Sequence, residues 1–175
     1  MVWRLRRKDW ESAKGAGNKR ALRGIVEAGE RPGILAYDGR APVGWCAIAP
    51  REAYPVLGRS RVLKPVDDQP VWSVSCLFVL KPFRRQGLSV RLLKEAVSFA
   101  SRCGARIVEG YPVQPTMNKT PDPFIWTGTP SAFQRAGFDE VLRRSKTRPI
   151  MRYVIESSKD RPSKPARGRG KDLSP

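Results

Sequence analysis

Residues 77–93 read LFVLKPFRRQGLSVRLL, an apolar strand that leads through a basic, glycine-containing turn directly into a helix. A helix that begins right after a tight turn points unpaired backbone N–H groups and the positive end of its dipole toward that turn. Gly87 allows the backbone conformation and the close approach that such a turn needs. Arg84 and Arg85 add charge that can pair with phosphate oxygens. The stretch therefore predicts an anion-binding turn suited to a pyrophosphate.

The segments on both sides of this turn fit the same interpretation. Residues 71–80 are almost continuously apolar, which is typical of a central strand covered on both faces. After the turn, apolar residues at helical spacing predict a helix that stops at Cys103-Gly104. The elements predicted beyond it are a strand at 105–111, a short helix at 131–138 that ends in Gly137-Phe138, and strands at 140–143 and 151–155.

Upstream of the turn, the sequence predicts one helix and one β-hairpin. Asn18 is the expected N-cap of a helix over residues 19–28. Strands are expected at 33–37 and 42–49, joined by Asp38-Gly39-Arg40, in which Asp-Gly is a strong hairpin signal.

Two proline-rich segments separate these elements. Residues 50–70 are predicted to be a loop with one turn of helix at 54–57, and residues 112–130 are a second loop that carries the aromatic residues Phe124 and Trp126. Long ordered loops are often functional, so both segments are candidates for part of a binding site.

The turn resembles a known family signature. The spacing Arg84-x-x-Gly87-x-Ser89 is similar to the acetyl-CoA signature of the GNAT superfamily of N-acetyltransferases, Arg/Gln-x-x-Gly-x-Gly/Ala, with serine at the last position. The short helix that ends in Gly137-Phe138 resembles the second signature of that family. The resemblance covers residues 70–155 and implies an α/β GNAT fold, a mixed and mostly antiparallel sheet with helices on both faces.

The resemblance also implies how acetyl-CoA, as acyl donor, would bind. The strand at 77–79 would splay from its neighbour at 107–111, and backbone groups of Leu77 and Val79 would align the pantetheine and the acetyl carbonyl. The pyrophosphate would bind to the turn, with Arg84 reinforcing the contact. The turn residues whose backbone N–H groups take part are Arg85, Gln86, Gly87, Leu88 and Ser89.

The acid and the base are the least defined part of the implied site. Many relatives carry a tyrosine four residues before the glycine of the second signature, but this chain has Phe133 there, which has no hydroxyl. Tyr111 is the candidate acid and Glu109 the candidate base, because both lie on the strand beside the expected cleft. A half-buried tyrosine and an ion-paired glutamate without catalytic roles fit the sequence equally well.

Composition restricts the chemistry. The 175 residues include no histidine, which excludes Ser-His-Asp and Cys-His nucleophilic sites and zinc sites that need an imidazole. Cys46, Cys76 and Cys103 are too few for a cysteine-only zinc site, so no metal is expected, and they are predicted to be reduced thiols in the core. Direct transfer of an acyl group from a thioester to an amine needs none of these groups.

Length and charge predict one domain over residues 1–155 and a disordered basic tail over residues 156–175. The net charge is +18, and the tail, with six basic and three acidic side chains, leaves +15 on residues 1–155. No apolar run approaches the length of about 20 residues that a membrane span needs. A secretory leader is also not evident, so a cytoplasmic protein is expected, with no membrane partner.

The function predicted from these features is N-acetyl transfer from acetyl-CoA to a primary amine of an unidentified acceptor, by direct attack in a ternary complex, in a monomer or homodimer. One alternative is a catalytically silent acyl-CoA-binding module, which the missing tyrosine at Phe133 favours. A nucleic-acid-associated protein is the other alternative, because basic side chains neutralise phosphates. It is less favoured, since no basic run is interleaved with aromatic residues.

Overall fold

The computed structural model describes residues 1–115 and 125–156. In this part of the chain, two helices precede the predicted hairpin and the central strand, and the basic turn leads into a long helix as expected. The strands are β1 (Gly33–Asp38), β2 (Ala41–Pro50), β3 (Trp72–Val79), β4 (Ile107–Gly110), β5 (Asp139–Arg143) and β6 (Pro149–Val154). The α-helices are α1 (Arg7–Ser12), α2 (Ala16–Glu27), α3 (Pro55–Gly58), α4 (Leu88–Arg102) and α5 (Pro130–Arg135).

The six strands form one sheet in the order β1-β2-β3-β4-β6-β5. The central pair β3 and β4 is parallel, and the other four neighbouring pairs are antiparallel. The predicted mixed, mostly antiparallel sheet is therefore confirmed.

Side-chain alternation along the strands builds a separate apolar cluster on each face of the sheet. On β2, Cys46 and Ile48 are buried in the cluster that packs against α4, whereas Ala49 belongs to the cluster on the opposite face. The same alternation holds on β6, where Met151 packs on the α4 side and Ile150 on the other. Helices cover both faces, as predicted.

Local predictions differ from the structure at the N-terminal helices and at two thiols. Helix α1 was not expected from the sequence, and α2 begins at Ala16 with Gly15 as its N-cap. The Asn18 side chain does not cap the helix, because its Nδ2 donates a 3.0 Å hydrogen bond to the carbonyl oxygen of Trp10. Cys103 is exposed and is not a core thiol, because α4 ends at Arg102 and Cys103 is its C-cap, and Cys76 is only half-buried.

Among residues 1–115 and 125–156, no helix is long and apolar enough to cross a bilayer. Apart from Glu156, the predicted tail lies outside the described residues, as does Phe124 of the second loop.

Candidate functional site

The candidate site starts where the two central strands stop pairing. The parallel ladder between β3 and β4 runs from Trp72 opposite Val108 to Val74 opposite Gly110. Farther along β3, the backbone N–H of Leu77 donates a 2.7 Å hydrogen bond to the carbonyl oxygen of Trp126 instead. The last part of β3 therefore borders an opening on this side, while its other edge remains paired with β2.

The Phe133 ring packs between Gly110 of β4 and Gly128, beside this opening. The side chain is fully buried, and its ring packs edge to face on Phe138 with the centroids 5.0 Å apart. The ring lies so close to Gly110 that a Cβ atom there would overlap it, and a Cβ at Gly128 would come within 2.9 Å of both the ring and Leu77. The position that carries a tyrosine in many relatives is thus occupied by an apolar wedge between β4 and the segment before α5.

The basic turn has an unusual backbone and is fixed by side-chain contacts. Arg85 and Gly87 both have left-handed φ angles, 60° and 77°, and Gly87 is the N-cap of α4. Arg84 Nε donates a 2.9 Å hydrogen bond to the carbonyl oxygen of Val79, and Gln86 Nε2 donates to that of Pro82 at 2.8 Å. The start of α4, with its N–H groups that lack intrahelical acceptors, is thereby placed beside the end of β3.

A cavity of about 980 Å³ lies between the end of β3, the turn and the start of α5, near the upper end of the range for ligand pockets. The structure brings all the predicted cofactor-binding residues to its lining. These residues are Leu77, Val79, Arg84, Arg85, Gln86, Gly87, Leu88 and Ser89.

Two further basic residues line the same cavity but were missed from the sequence. Lys81 precedes the turn, and Arg135 lies in the last turn of α5. Lys81 lies just before the first signature, and Arg135 lies in the short helix of the second, two residues before Gly137. The second signature could therefore have pointed to Arg135. With Arg84 and Arg85, these two residues give the cavity four basic side chains, which suits an anionic ligand.

The predicted acid and base lie together in a buried polar network. The Tyr111 hydroxyl donates to Glu109 Oε2 at 2.8 Å and is 2.8 Å from the Ser73 hydroxyl. Arg51 Nη1 donates to the Tyr111 oxygen at 2.5 Å and to Glu109 Oε2 at 3.2 Å, and Arg152 Nε donates to Glu109 Oε1 at 2.8 Å. Burial, assisted by the adjacent Glu109 carboxylate, raises the pKa of Tyr111 above its usual range, so the hydroxyl keeps its proton.

Arg152 connects this network to the surface loop before β3. Its guanidinium donates to both carboxylate oxygens of Asp67, at 2.6 and 2.9 Å, and this contact lowers the pKa of Asp67 to about 2. Glu109 and Tyr111 are each about 1% exposed, and neither lines the 980 Å³ cavity. The structure thus joins the two residues to each other and not directly to the cleft.

A second cavity, of about 340 Å³, lies on the sheet face opposite α4. Trp126 lines both cavities. Cys76 lines the 340 Å³ cavity, and the next residue, Leu77, lines the 980 Å³ cavity. Burial raises the pKa of the Cys76 thiol, which favours the protonated form and disfavours a nucleophilic role.

Comparisons with known structures show that the fold is shared with other proteins. The fold is similar to that of a GNAT superfamily phosphinothricin acetyltransferase from Sinorhizobium meliloti in complex with acetyl-CoA, with a TM-score of 0.51 at 18% identity over 86% of this chain and 76% of that one. It is also similar to the PaiA N-acetyltransferase from Thermoplasma acidophilum in complex with coenzyme A, with a TM-score of 0.51 at 13% identity over 85% and 77% of the chains. A GNAT family acetyltransferase from Streptococcus agalactiae gives 0.52 at 12% identity over 86% and 79%.

No curated protein matches the chain in sequence. The family model described as the acetyltransferase (GNAT) family matches residues 1–120, which is more than half of the chain and includes β3, the basic turn and α4. The chain therefore belongs to the acetyltransferase (GNAT) family and is an acyltransferase.

Proposed function

We propose that the chain binds acetyl-CoA in the 980 Å³ cleft and transfers the acetyl group to a primary amine. The observation that carries this proposal is the convergence of the eight predicted cofactor-binding residues on one cavity with four basic side chains. A pyrophosphate would lie against the left-handed turn at Arg85 and Gly87, where backbone N–H groups, the helix dipole and the arginines all favour negative charge.

The edge of β3 would hold the pantetheine and the acetyl carbonyl. Leu80 donates its N–H to the carbonyl oxygen of Val43 on β2, so alternation points the N–H of Val79 away from β2 and into the cleft. The N–H of Leu77 has the same direction but is already bonded to Trp126. Val79 is therefore the backbone donor we propose for the acetyl oxygen, where negative charge develops when an amine attacks.

Positioning of two substrates side by side supplies most of the catalysis in this proposal. Tyr111 and Glu109 are still the proposed acid and base. Because both are buried and neither lines the cleft, proton exchange with a bound substrate would need water to enter between the cleft and the Tyr111 hydroxyl. The predicted cytoplasmic location and the monomeric or homodimeric state also stay predictions.

The proposal is tested by titrating the full chain with acetyl-CoA in a calorimeter, then with mixed DNA and RNA, and by measuring CoA release with a panel of amines. We expect saturable acetyl-CoA binding and amine-dependent CoA release. Binding without release for any amine would favour the silent acyl-CoA-binding module. Binding of nucleic acid without binding of acetyl-CoA would contradict the proposal.

A further inference from the structure

Four of the five tryptophans of the chain line the 340 Å³ cavity. They come from four separate segments, namely the N-terminal residues, α1, β2 and the loop before α5. The four are Trp3, Trp10, Trp45 and Trp126. Tyr54 adds a fifth aromatic ring to the same cavity. Nothing in the linear sequence groups these residues, so the aromatic lining is a product of the fold.

Two of the rings are held in place by direct contacts. Trp3 Nε1 donates a 3.1 Å hydrogen bond to the carbonyl oxygen of Ser75 on β3, and the Trp3 ring lies 5.7 Å from that of Trp126, centroid to centroid. Each of these tryptophans is only half-buried, so part of its surface faces the cavity or solvent. Half-buried rings around an opening are a preformed surface for a flat apolar ligand.

The location of this cavity connects it to the proposed acetyl-CoA cleft. Trp126 lines both cavities, and its carbonyl oxygen accepts the hydrogen bond from the N–H of Leu77. Cys76 and Leu77 are consecutive on β3, and alternation directs their side chains to opposite faces of the sheet, one toward each cavity. A ligand among the tryptophans would therefore lie next to the end of the pantetheine path.

Charge restricts which amines this cavity accepts. Its lining contains no carboxylate among the described residues, and its one basic side chain, Arg4, lies over the Tyr54 ring with its guanidinium carbon 4.9 Å from the centroid. A polyamine would bring several ammonium groups to a site without a counter-charge. Desolvation in such a site favours an uncharged amine, which is the form that attacks a thioester.

We infer that the acceptor is a primary amine carried on a flat aromatic body, which stacks among the four tryptophans with its amine directed toward Trp126 and Leu77. This inference rests on the proposed function. In the transfer, the amine nitrogen forms a bond to the acetyl carbon while the carbon–sulfur bond breaks, and the proton lost by nitrogen ends on the CoA thiol. The products are an N-acetylated aromatic amine and free CoA.

The test compares amines of equal size in the CoA-release assay. Phenylethylamine is compared with cyclohexylethylamine, its saturated analogue, and with spermidine. We expect kcat/KM for phenylethylamine to exceed that for the saturated analogue by about 10-fold and that for spermidine by about 100-fold. Equal use of the three amines, or a preference for spermidine, would overturn the inference.

Variants locate the effect in the cavity. Trp10→Ala and Trp45→Leu should raise KM for phenylethylamine about 10-fold or more and leave KM for acetyl-CoA unchanged. The control is Trp72→Leu, because Trp72 packs against Phe99 in the cluster on the α4 side and does not line the cavity. An unchanged KM in both cavity variants would also overturn the inference.

A binding experiment separates this inference from the proposed function. Quenching of tryptophan fluorescence by phenylethylamine is measured with and without CoA, and acetyl-CoA binding is measured by calorimetry. Failure to bind acetyl-CoA contradicts the proposed function, whereas the quenching still reports whether the cavity takes the aromatic amine. If acetyl-CoA binds but phenylethylamine causes no quenching, or causes quenching that Trp10→Ala does not reduce, the inference alone is contradicted.

Discussion

The backbone N–H of Leu77 lies 2.7 Å from the carbonyl oxygen of Trp126, so the segment before α5 replaces β4 as the neighbour of β3 at this point. This hydrogen bond places Trp126 where the two cavities adjoin. Because it engages the N–H of Leu77, it also makes the N–H of Val79 the donor that we propose for the acetyl oxygen. The donor side and the acceptor side of the proposed reaction therefore adjoin where Cys76 is followed by Leu77 on β3.

The opening between β3 and β4 depends on the contact of Gly110 with Phe133. Gly110→Ala places a methyl group inside the Phe133 ring, and we expect it to lower the free energy of unfolding by about 1–3 kcal/mol and to weaken acetyl-CoA binding. Chemical denaturation measures the change. Gly24→Ala is the control, because Gly24 lies in α2 with open space around it and should gain about 1 kcal/mol. A Gly110→Ala variant with the wild-type free energy of unfolding would show that the Phe133 ring can move away from residue 110.

Restoring the tyrosine of many relatives should not restore a catalyst. Phe133→Tyr adds a hydroxyl to a ring that is fully buried among apolar residues, so we expect a loss of about 1–3 kcal/mol in the free energy of unfolding and no gain in the rate of CoA release. Denaturation curves and initial rates of the same preparation check both parts. A higher rate would mean that the hydroxyl reaches the leaving thiolate after all.

The proposed acid is tested by Tyr111→Phe. If Tyr111 protonates the leaving thiolate, kcat should fall about 100-fold or more with little change in the affinity for acetyl-CoA. Glu109→Gln should also lower kcat if the Glu109 carboxylate accepts the ammonium proton, because an amide cannot act as a base. If both variants are less stable than the wild type but have its kcat, the network of Glu109, Arg51 and Arg152 stabilises the fold and takes no part in catalysis.

Acid should weaken the fold through the pair of Asp67 and Arg152. The hydrogen bonds from Arg152 lower the folded-state pKa of Asp67 from 3.8 to about 2. The pair therefore stabilises the folded state fully above the unfolded-state pKa of 3.8, and this stabilisation is lost as the pH falls through the folded-state pKa of about 2. We expect Asp67→Asn to lower Tm at pH 7 and the difference from wild type to shrink between about pH 4 and pH 2. Asp68→Asn, its exposed neighbour, is the control. An equal difference at all pH values would contradict this role.

The sequence predicted the sheet and α4 well because their signals are local. The continuous apolar run before Leu80, the Asp38-Gly39 turn and the Gly104 stop each determine the backbone within a few residues. Helix α1 escaped prediction because its six residues, RKDWES, contain a single apolar side chain and no periodic face. The start of α2 was misplaced because the sequence Gly15-Ala16-Gly17 carries no capping side chain before Asn18.

In the site, too, the residues with local sequence signals were predicted and those that meet only through the fold were not. The residues of the basic turn were predicted because a strand, a turn and a helix are contiguous there. The tryptophan cavity could not be predicted, since Trp3 and Trp126 lie 123 positions apart and meet only after the strands pair. Likewise, of the two arginines that bind Glu109, Arg51 directly follows β2 and Arg152 lies within β6, and no local pattern connects them.

We propose that the left-handed turn at the start of α4 binds the pyrophosphate of acetyl-CoA, and calorimetric titration of two matched glycine variants decides whether it does. Gly87 and Gly104 flank the same helix, both have positive φ angles, 77° and 84°, and both have open space where a side chain would go. Backbone strain should therefore be similar in Gly87→Glu and Gly104→Glu, but only the first places a carboxylate in the cleft. We predict that Gly87→Glu abolishes acetyl-CoA binding while Gly104→Glu binds like the wild type. Wild-type affinity in a folded Gly87→Glu variant would contradict pyrophosphate binding at this turn.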